Sequence, residues 1–264
     1  MKKIMIFICF CLITVLLKTD RKPDDLEVFL INNDIRYQEI EPYLEYEKFM
    51  YKDFFILEKI RNEKNYSYLK TINTYYNPNT GPAILSNTTL ILVNKNYYLD
   101  KTFIPQNLIE IKTLGIKHAN KDILLPDIII NNYLDMIDDL NLDNLYIFSG
   151  FRTYQKQEAL YKYYNDDNYS AKPGYSEHQT GLAIDVSLLN VGLIEDFENT
   201  KEFKILANNA HKYGFILRYP RNKQNITGYF YEPWHFRYVG KIHATYIKEN
   251  NLTLEEYIIN NFEL

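Results

Sequence analysis

The residues best suited to chemistry lie in the stretch Pro173–Asp185, which holds an imidazole, His178, and a carboxylate, Asp185, on either side of Gly181. In one continuous helix these two side chains would be about 10 Å apart, too far to share a zinc ion bound at about 2 Å by each ligand. The backbone must therefore turn between them, and glycine suits such a turn. We interpret His178 and Asp185 as two zinc ligands, with a short strand over Leu182–Val186 carrying Asp185 into the site.

A second reactive group, Glu232-Pro233-Trp234-His235, supplies a candidate third ligand. Pro233 restricts Glu232 to an extended conformation and cannot donate to a strand ladder. We therefore place Glu232 in a loop that enters a strand, free to approach a metal-bound water. Zinc hydrolysis needs three protein ligands, one open position for water, and a carboxylate as general base. Glu232 would accept the water proton and deliver it to the leaving amine.

Arg152 follows Ser149-Gly150-Phe151, where a predicted strand gives way to a predicted helix. A guanidinium at this junction would hold a substrate carboxylate in a two-pronged hydrogen bond or stabilise the oxyanion of a tetrahedral intermediate. An ordinary surface salt bridge is the alternative role. The position directly after the strand favours the functional one.

The elements that must position these residues alternate without a regular βαβ rhythm, so we predict an α+β domain with a small, mainly antiparallel sheet flanked by helices. Hydrophobic periodicity predicts three helices, at Asp127–Leu140, Thr153–Tyr164 and Lys201–Lys212. The second of them starts with a threonine suited to cap it. Apolar runs predict four strands, at Thr89–Val93, Leu145–Phe148, Phe215–Tyr219 and Trp234–Tyr238.

The N-terminus has the pattern of an export signal: a basic start, Met1-Lys2-Lys3, and then an apolar run at residues 4–17. We predict that residues 1–20 are a signal peptide or an uncleaved signal anchor, with possible membrane anchoring by residues 4–17. Both cysteines, Cys9 and Cys11, lie inside this run. The rest of the chain therefore has no thiolate zinc site, disulfide or cysteine nucleophile.

Residues 21–82 are predicted to form a small helical N-terminal subdomain or stalk, because Tyr46, Met50, Phe54 and Leu57 recur at helical spacing. The turn formers of Asn77–Pro82 end this region as a linker, and residues 83–264 hold every candidate site residue. The chain of 264 residues is 46% hydrophobic and can bury a sizeable core. Its net charge of −4 gives no basic footprint, so nucleic acid is not expected as a partner.

Three blocks of sequence together resemble the signature of the VanY-like D-alanyl-D-alanine carboxypeptidases. They are Ser149-Gly150-Phe151-Arg152 with Gln157, Ser176-Glu177-His178 with Gly181, Ala183 and Asp185, and Glu232-Pro233-Trp234-His235. The resemblance covers about Thr89 to Gly240, and both order and spacing are met.

This resemblance implies a zinc peptidase that trims peptidoglycan stem peptides outside the cytoplasm, anchored to the membrane or secreted to the cell wall. Its zinc ligands would be His178, Asp185 and His235, and Glu232 its general base. Arg152 would contact the scissile region of the substrate. The remaining matched positions, expected near the substrate pocket, are Gln157, Tyr175 and Ser176.

Two alternatives to the D,D-carboxypeptidase remain open. One is an L,D-carboxypeptidase or another peptidoglycan peptidase of the same family, since similar sites cleave several bonds. The other is a binding module that recognises wall peptides without cutting them. The presence of Glu232 favours an enzyme, because a binding module needs no general base. The sequence leaves the oligomeric state open.

Overall fold

A four-stranded antiparallel sheet carries the residues singled out above. The computed structural model describes residues 81–83, 89–120, 122–167 and 169–262. The predicted signal at residues 1–20, and the predicted helical region 21–82 except its last two residues, lie outside the described residues. No helix among the residues described is both long enough and apolar enough to cross a membrane.

Short strands and helices alternate along the described chain. The strands are β1 (Gly81–Pro82), β2 (Tyr97–Tyr98), β3 (Leu108–Glu110), β4 (Leu124–Pro126), β5 (Tyr146–Ser149), β6 (Ala183–Ser187), β7 (Phe215–Leu217) and β8 (His235–Tyr238). The helices are α1 (Asp127–Asp139), α2 (Tyr154–Tyr164), α3 (Lys201–Asn209), α4 (Gln224–Thr227), α5 (Lys241–Glu249) and α6 (Leu254–Phe262). Short 3-10 turns occupy Ile111–Leu114, Glu177–Thr180, Glu195–Asn199 and Ala210–Tyr213.

The main sheet has the strand order β5-β6-β8-β7, and every neighbouring pair in it is antiparallel. Asp185 on β6 lies opposite His235 on β8 and opposite Ser149 on β5. The register of β5 against β6 shifts between Ile147 and Ser149, as in a β-bulge. Paired residues share a face of the sheet, so the register itself makes Asp185 and His235 neighbours.

The other face of the sheet belongs to the main hydrophobic core. Ile184 and Val186 alternate with Asp185 along β6, and both are fully buried. Tyr133 and Met136 of α1 pack in the same core, which also takes in buried side chains from β5, β8 and α3. Full burial of each such side chain stabilises the fold by roughly 1.5–3 kcal/mol. The strand that carries Asp185 is thereby fixed by its apolar neighbours.

The helix boundaries follow local capping chemistry. The Thr153 hydroxyl accepts a hydrogen bond from the Lys156 backbone N–H, which confirms the predicted cap of α2. The α3 helix is capped by Thr200 in the same way, through the Phe203 N–H. Its predicted extent to Lys212 is too long as an α-helix, because the chain tightens into the 3-10 turn Ala210–Tyr213 before Gly214.

The predicted strand at Thr89–Val93 is confirmed only as a single β-bridge residue, Leu92, among the described residues. The segment is buried, as its apolar sequence requires. Two of its carbonyl groups are satisfied by a side chain, since Arg237 Nη2 donates to the carbonyls of Thr89 and Ile91 at 2.9 and 2.8 Å. An apolar run predicts burial, whereas an extended strand also needs a neighbouring strand to pair with. The α+β class with a small, mainly antiparallel sheet flanked by helices is confirmed.

Candidate active site

Asp185 and His235 meet through the sheet register. The His235 Nδ1 atom lies 3.0 Å from Asp185 Oδ1 and 3.5 Å from Glu232 Oε2. Both ligand candidates are at least 95% buried. The close approach of Nδ1 lacks hydrogen-bond geometry, so Asp185 Oδ1 has no hydrogen-bond partner among the described residues. A buried carboxylate oxygen left in this way is a fitting ligand for a cation.

His178 reaches the same point from the 3-10 turn Glu177–Thr180. Gly181 ends the turn in the left-handed region, with φ of 74°, as expected from the requirement for a sharp reversal. The His178 Nδ1 atom lies 2.9 Å from the carbonyl oxygen of Gly150, which can only accept a hydrogen bond. Nδ1 therefore carries the proton, and Nε2 presents its lone pair 3.2 Å from Asp185 Oδ2.

These three side chains fit a zinc ion. One ligand atom from each of His178, Asp185 and His235 lies within 4.8 Å of the other two. A tetrahedral zinc with ligands at about 2.0–2.1 Å places its donor atoms about 3.3 Å apart. The imidazole nitrogens lie at similar distances from the carboxylate, His178 Nε2 at 3.2 Å from Asp185 Oδ2 and His235 Nδ1 at 3.0 Å from Asp185 Oδ1. Two imidazoles and one carboxylate also leave a fourth position open.

Glu232 lies beside this ligand group in the loop before β8, where the sequence placed it. Although 24% of its side chain is exposed, removal of water by the surrounding protein raises the pKa of Glu232 to about 7. His235 and Arg152 act in the opposite direction, and Asp185 adds to the rise. A bound cation would lower this pKa. With a cation bound, Glu232 would be ionised and able to accept a proton.

Arg152 lies in the loop between β5 and α2, and its backbone N–H donates to the carbonyl of His178 at 3.0 Å. Its guanidinium donates to Gln157 Oε1 at 2.8 Å and to Ser149 Oγ at 2.9 Å. Burial lowers the pKa of Arg152, and the charges of Asp185 and Glu232 oppose that shift. The guanidinium of Arg152 therefore interacts with the charges of Asp185 and Glu232, while the neutral side chains of Ser149 and Gln157 hold it in place.

The three expected pocket residues differ in position. Gln157 is 1% exposed and lies behind Arg152, where its amide also donates to Ser170 and Ala171. Ser176 is buried at the start of the histidine turn, and its hydroxyl does not cap that turn. Tyr175 is half-buried, with its ring 5.5 Å from that of Tyr98. A direct contact of any of the three with substrate stays a prediction.

A buried ion cluster beside the site was missed in the sequence. Glu177 accepts from Arg218 Nε at 2.7 Å and from Arg237 Nη1 at 2.6 Å. Arg218 also donates two hydrogen bonds to Glu255 of α6, at 2.6 and 2.8 Å. Burial alone would raise the pKa of Glu177, but the two arginines outweigh burial and hold this pKa well below its usual range. The sequence did carry one signal for this cluster: Arg218 and Arg237 each lie in an otherwise apolar run.

Comparison with known proteins identifies the family to which this site belongs. The family profile described as VanY: D-alanyl-D-alanine carboxypeptidase matches residues 123–241. The bifunctional D-Ala-D-Ala dipeptidase and D-Ala-D-Ala carboxypeptidase VanXYC of Enterococcus gallinarum is 36% identical over 181 residues, which are 64% of this chain and 93% of that protein. This chain belongs to the VanY family. It spans 66% and 57% of the length of two other curated relatives, from Bacillus subtilis (strain 168) and Enterococcus faecium.

Solved structures of VanY-family relatives have the same fold. The LdcB LD-carboxypeptidase is 38% identical, with a TM-score of 0.60 over 66% of this chain and 86% of that one. The vancomycin-resistance D,D-pentapeptidase VanY, solved as a point mutant in complex with Zn(II), is 31% identical, with a TM-score of 0.50 over 64% of this chain and 98% of that one. The VanY family thus includes relatives described as D,D- and as LD-enzymes.

Proposed function

We propose that this VanY-family chain is a zinc-dependent D-alanyl-D-alanine carboxypeptidase that removes the terminal D-Ala from peptidoglycan stem peptides. The observation that carries the proposal is the spacing of His178, Asp185 and His235, with Glu232 beside them. The names of the matched family and of its Enterococcus gallinarum relative support the substrate class. The Zn(II) complex of the related pentapeptidase supports the metal.

Each residue of the site has a role in this proposal. His178, Asp185 and His235 would hold the zinc, which when bound polarises the scissile carbonyl and lowers the pKa of water. Glu232 takes a proton from the attacking water and returns it to the leaving amine of D-Ala. Arg152, held by Ser149 and Gln157, binds the terminal carboxylate of the peptide or the developing oxyanion.

An L,D-carboxypeptidase is the second candidate function. The observation that favours it is the fit to the LdcB LD-carboxypeptidase, at 38% identity and a TM-score of 0.60. The zinc, Glu232 and Arg152 would have the same roles in this reaction. The residue on the amino side of the cleaved bond would differ: an L-residue would replace D-Ala.

One experiment separates these functions. The purified protein is incubated with muropeptides that end in a pentapeptide or a tetrapeptide, with and without a chelator, and the products are identified by mass. Loss of one alanine from the pentapeptide alone, abolished by chelation and restored by zinc, is the expected result. Cleavage of the tetrapeptide would establish the L,D-enzyme, and cleavage of neither would leave a binding module.

We also propose that the protein works outside the cytoplasmic membrane, where stem peptides are exposed. The basic start and apolar run at residues 4–17 support this location. Protease added to intact cells should degrade the protein if it is exported, whereas full protection until lysis would contradict export.

A further inference from the structure

Glu177 is a fully buried carboxylate next to the candidate zinc ligand His178, and the mechanism above does not use it. Its Oε1 atom accepts hydrogen bonds from Arg218 and Arg237. Its Oε2 atom has no hydrogen-bond partner among the described residues. One oxygen is therefore committed to the arginines, and the other is available.

The available oxygen faces the metal-binding imidazole of β8. Glu177 Oε2 lies 3.5 Å from His235 Nε2, which also lacks a hydrogen-bond partner in the described part of the chain. The other ring nitrogen, Nδ1, faces Asp185 and Glu232. If Nδ1 supplies the lone pair to a metal ion, Nε2 must carry the proton. A buried N–H needs an acceptor, and an anionic oxygen is already placed for it.

We propose that Glu177 is a positioning residue for His235: its Oε2 accepts a hydrogen bond from Nε2–H and directs Nδ1 to the zinc. This inference rests on the proposed zinc function. A carboxylate behind a ligating histidine fixes the tautomer and the ring orientation and makes the ligand more basic. Closing the 3.5 Å gap needs only a small shift of the ring.

The two arginines give this carboxylate its rigidity. Arg237 is held on its far side by the carbonyls of Thr89 and Ile91, and Arg218 by Glu255. A single carboxylate shared by two immobile guanidiniums cannot rotate without breaking charge-assisted hydrogen bonds. The ion cluster thereby holds Oε2 in one position toward His235.

The test compares two variants that each remove one carboxylate from Arg218. Glu177→Gln keeps one acceptor oxygen for the two arginines and turns an NH2 donor toward His235. Glu255→Gln leaves the carboxylate of Glu177 in place and serves as the matched control. Zinc affinity of the full chain is measured by competition with a chelator of known affinity. We expect Glu177→Gln to weaken zinc binding by about 10–100-fold and Glu255→Gln to change it by less than about threefold, as suits a cluster partner that does not face the ring.

Equal losses in the two variants, or unchanged affinity in Glu177→Gln, would overturn the proposal. If the wild-type chain binds zinc and Glu177→Gln binds it with the same affinity, this inference fails and the proposed function stands. A wild-type chain that binds no zinc would remove both.

Nitrogen-15 NMR of the zinc-loaded wild-type chain keeps the proposal testable if Glu177→Gln does not fold. The Nδ1 signal of His235 should shift on zinc addition, and Nε2 should carry a slowly exchanging, hydrogen-bonded proton. Zinc bound through Nε2, or a rapidly exchanging Nε2 proton, would overturn the assignment. A purely structural role for Glu177 would leave the Nδ1 shift but predicts no hydrogen-bonded Nε2 proton.

Discussion

At the scale of the residue, we expect Glu232 to be needed for turnover but not for metal binding. It lies 3.5 Å from His235 but is separate from the three grouped ligands. We predict that Glu232→Gln lowers kcat by about 10²–10⁴-fold, because an amide cannot accept the water proton. Zinc affinity should change little. The two measurements are muropeptide turnover and chelator competition, and retained turnover would exclude Glu232 as the base.

A substitution at Arg152 can test whether the site needs the shape of the guanidinium or only its positive charge. Its two terminal nitrogens bind Gln157 and Ser149 separately, which fixes the plane of the guanidinium. Arg152→Lys keeps the positive charge but loses this fork. We expect kcat/KM for muropeptides to fall by about 10–100-fold, since one bidentate charge-assisted contact is worth roughly 1.5–3 kcal/mol.

The matched control for this variant is Arg221→Lys, which changes an arginine paired with Glu195 and Glu198 at the surface. It should keep kcat/KM within about twofold. Equal activity in Arg152→Lys and Arg221→Lys would show that only a positive charge is needed at residue 152.

At the scale of the element, the connection between the 3-10 turn Glu177–Thr180 and β6 depends on Gly181. Its φ is 74°, and an added Cβ would lie 2.8 Å from a side-chain carbon of Pro105. Gly192 has a similar φ of 79° but open space around the position of a Cβ. The pair therefore separates the cost of the left-handed backbone from the cost of the steric clash.

We predict that Gly192→Ala lowers the free energy of unfolding by about 1–2 kcal/mol, the cost of the left-handed conformation. Gly181→Ala should lower the free energy of unfolding by more than Gly192→Ala does. It should also weaken zinc binding, because the clash shifts His178 relative to Asp185. Denaturant unfolding and chelator competition measure the two effects. Equal destabilisation by the two substitutions would mean that Pro105 moves away from the added methyl group without loss of stability.

At the scale of the whole molecule, a buried histidine in α5 links stability to pH. Burial lowers the pKa of His243 to about 4, and its Nδ1 lies 2.6 Å from the hydroxyl of Tyr257 in α6. In the unfolded chain a histidine titrates near a pH of about 6.5. Between this value and a pH of about 4 the unfolded chain therefore binds more protons, and the free energy of unfolding falls as the pH falls.

We predict that His243→Gln removes this contribution to the pH dependence of stability. Between about pH 7 and about pH 4, the free energy of unfolding of the variant should fall by roughly 2–3 kcal/mol less than that of the wild type. The measurement is denaturant unfolding as a function of pH. Equal slopes in the variant and the wild type would contradict a buried neutral His243.

The sequence predicts the parts of the fold that depend on neighbours along the chain. The Thr153 cap, the turn at Gly181 and the loop position of Glu232 all follow from local stereochemistry, and the structure has each of them. The grouping of His178, Asp185 and His235 was expected because zinc chemistry explains the three residue types together. The structure brings their donor atoms within 4.8 Å of one another.

The sequence does not predict contacts between distant polar residues. The pairing of Arg218 with Glu177 and Glu255 joins segments about 40 positions apart. The apolar neighbours of Arg218 indicate that it is buried, but no local pattern indicates its partners. The same lack of long-range information applies to the predicted strand at Thr89–Val93. Its carbonyls bind Arg237, which is almost 150 positions away.

The strand order has a consequence for how the protein is made. The strand β8 lies between β6 and β7 in the sheet, yet it is the last of the three to leave the ribosome. Until Tyr238 has emerged, β7 has no partner in the main sheet and the second imidazole of the site, His235, has no register. An unfinished chain therefore lacks one of the three candidate zinc ligands. A metal bound by these three residues would be acquired only after synthesis of the sheet is complete, in whichever compartment the finished chain folds.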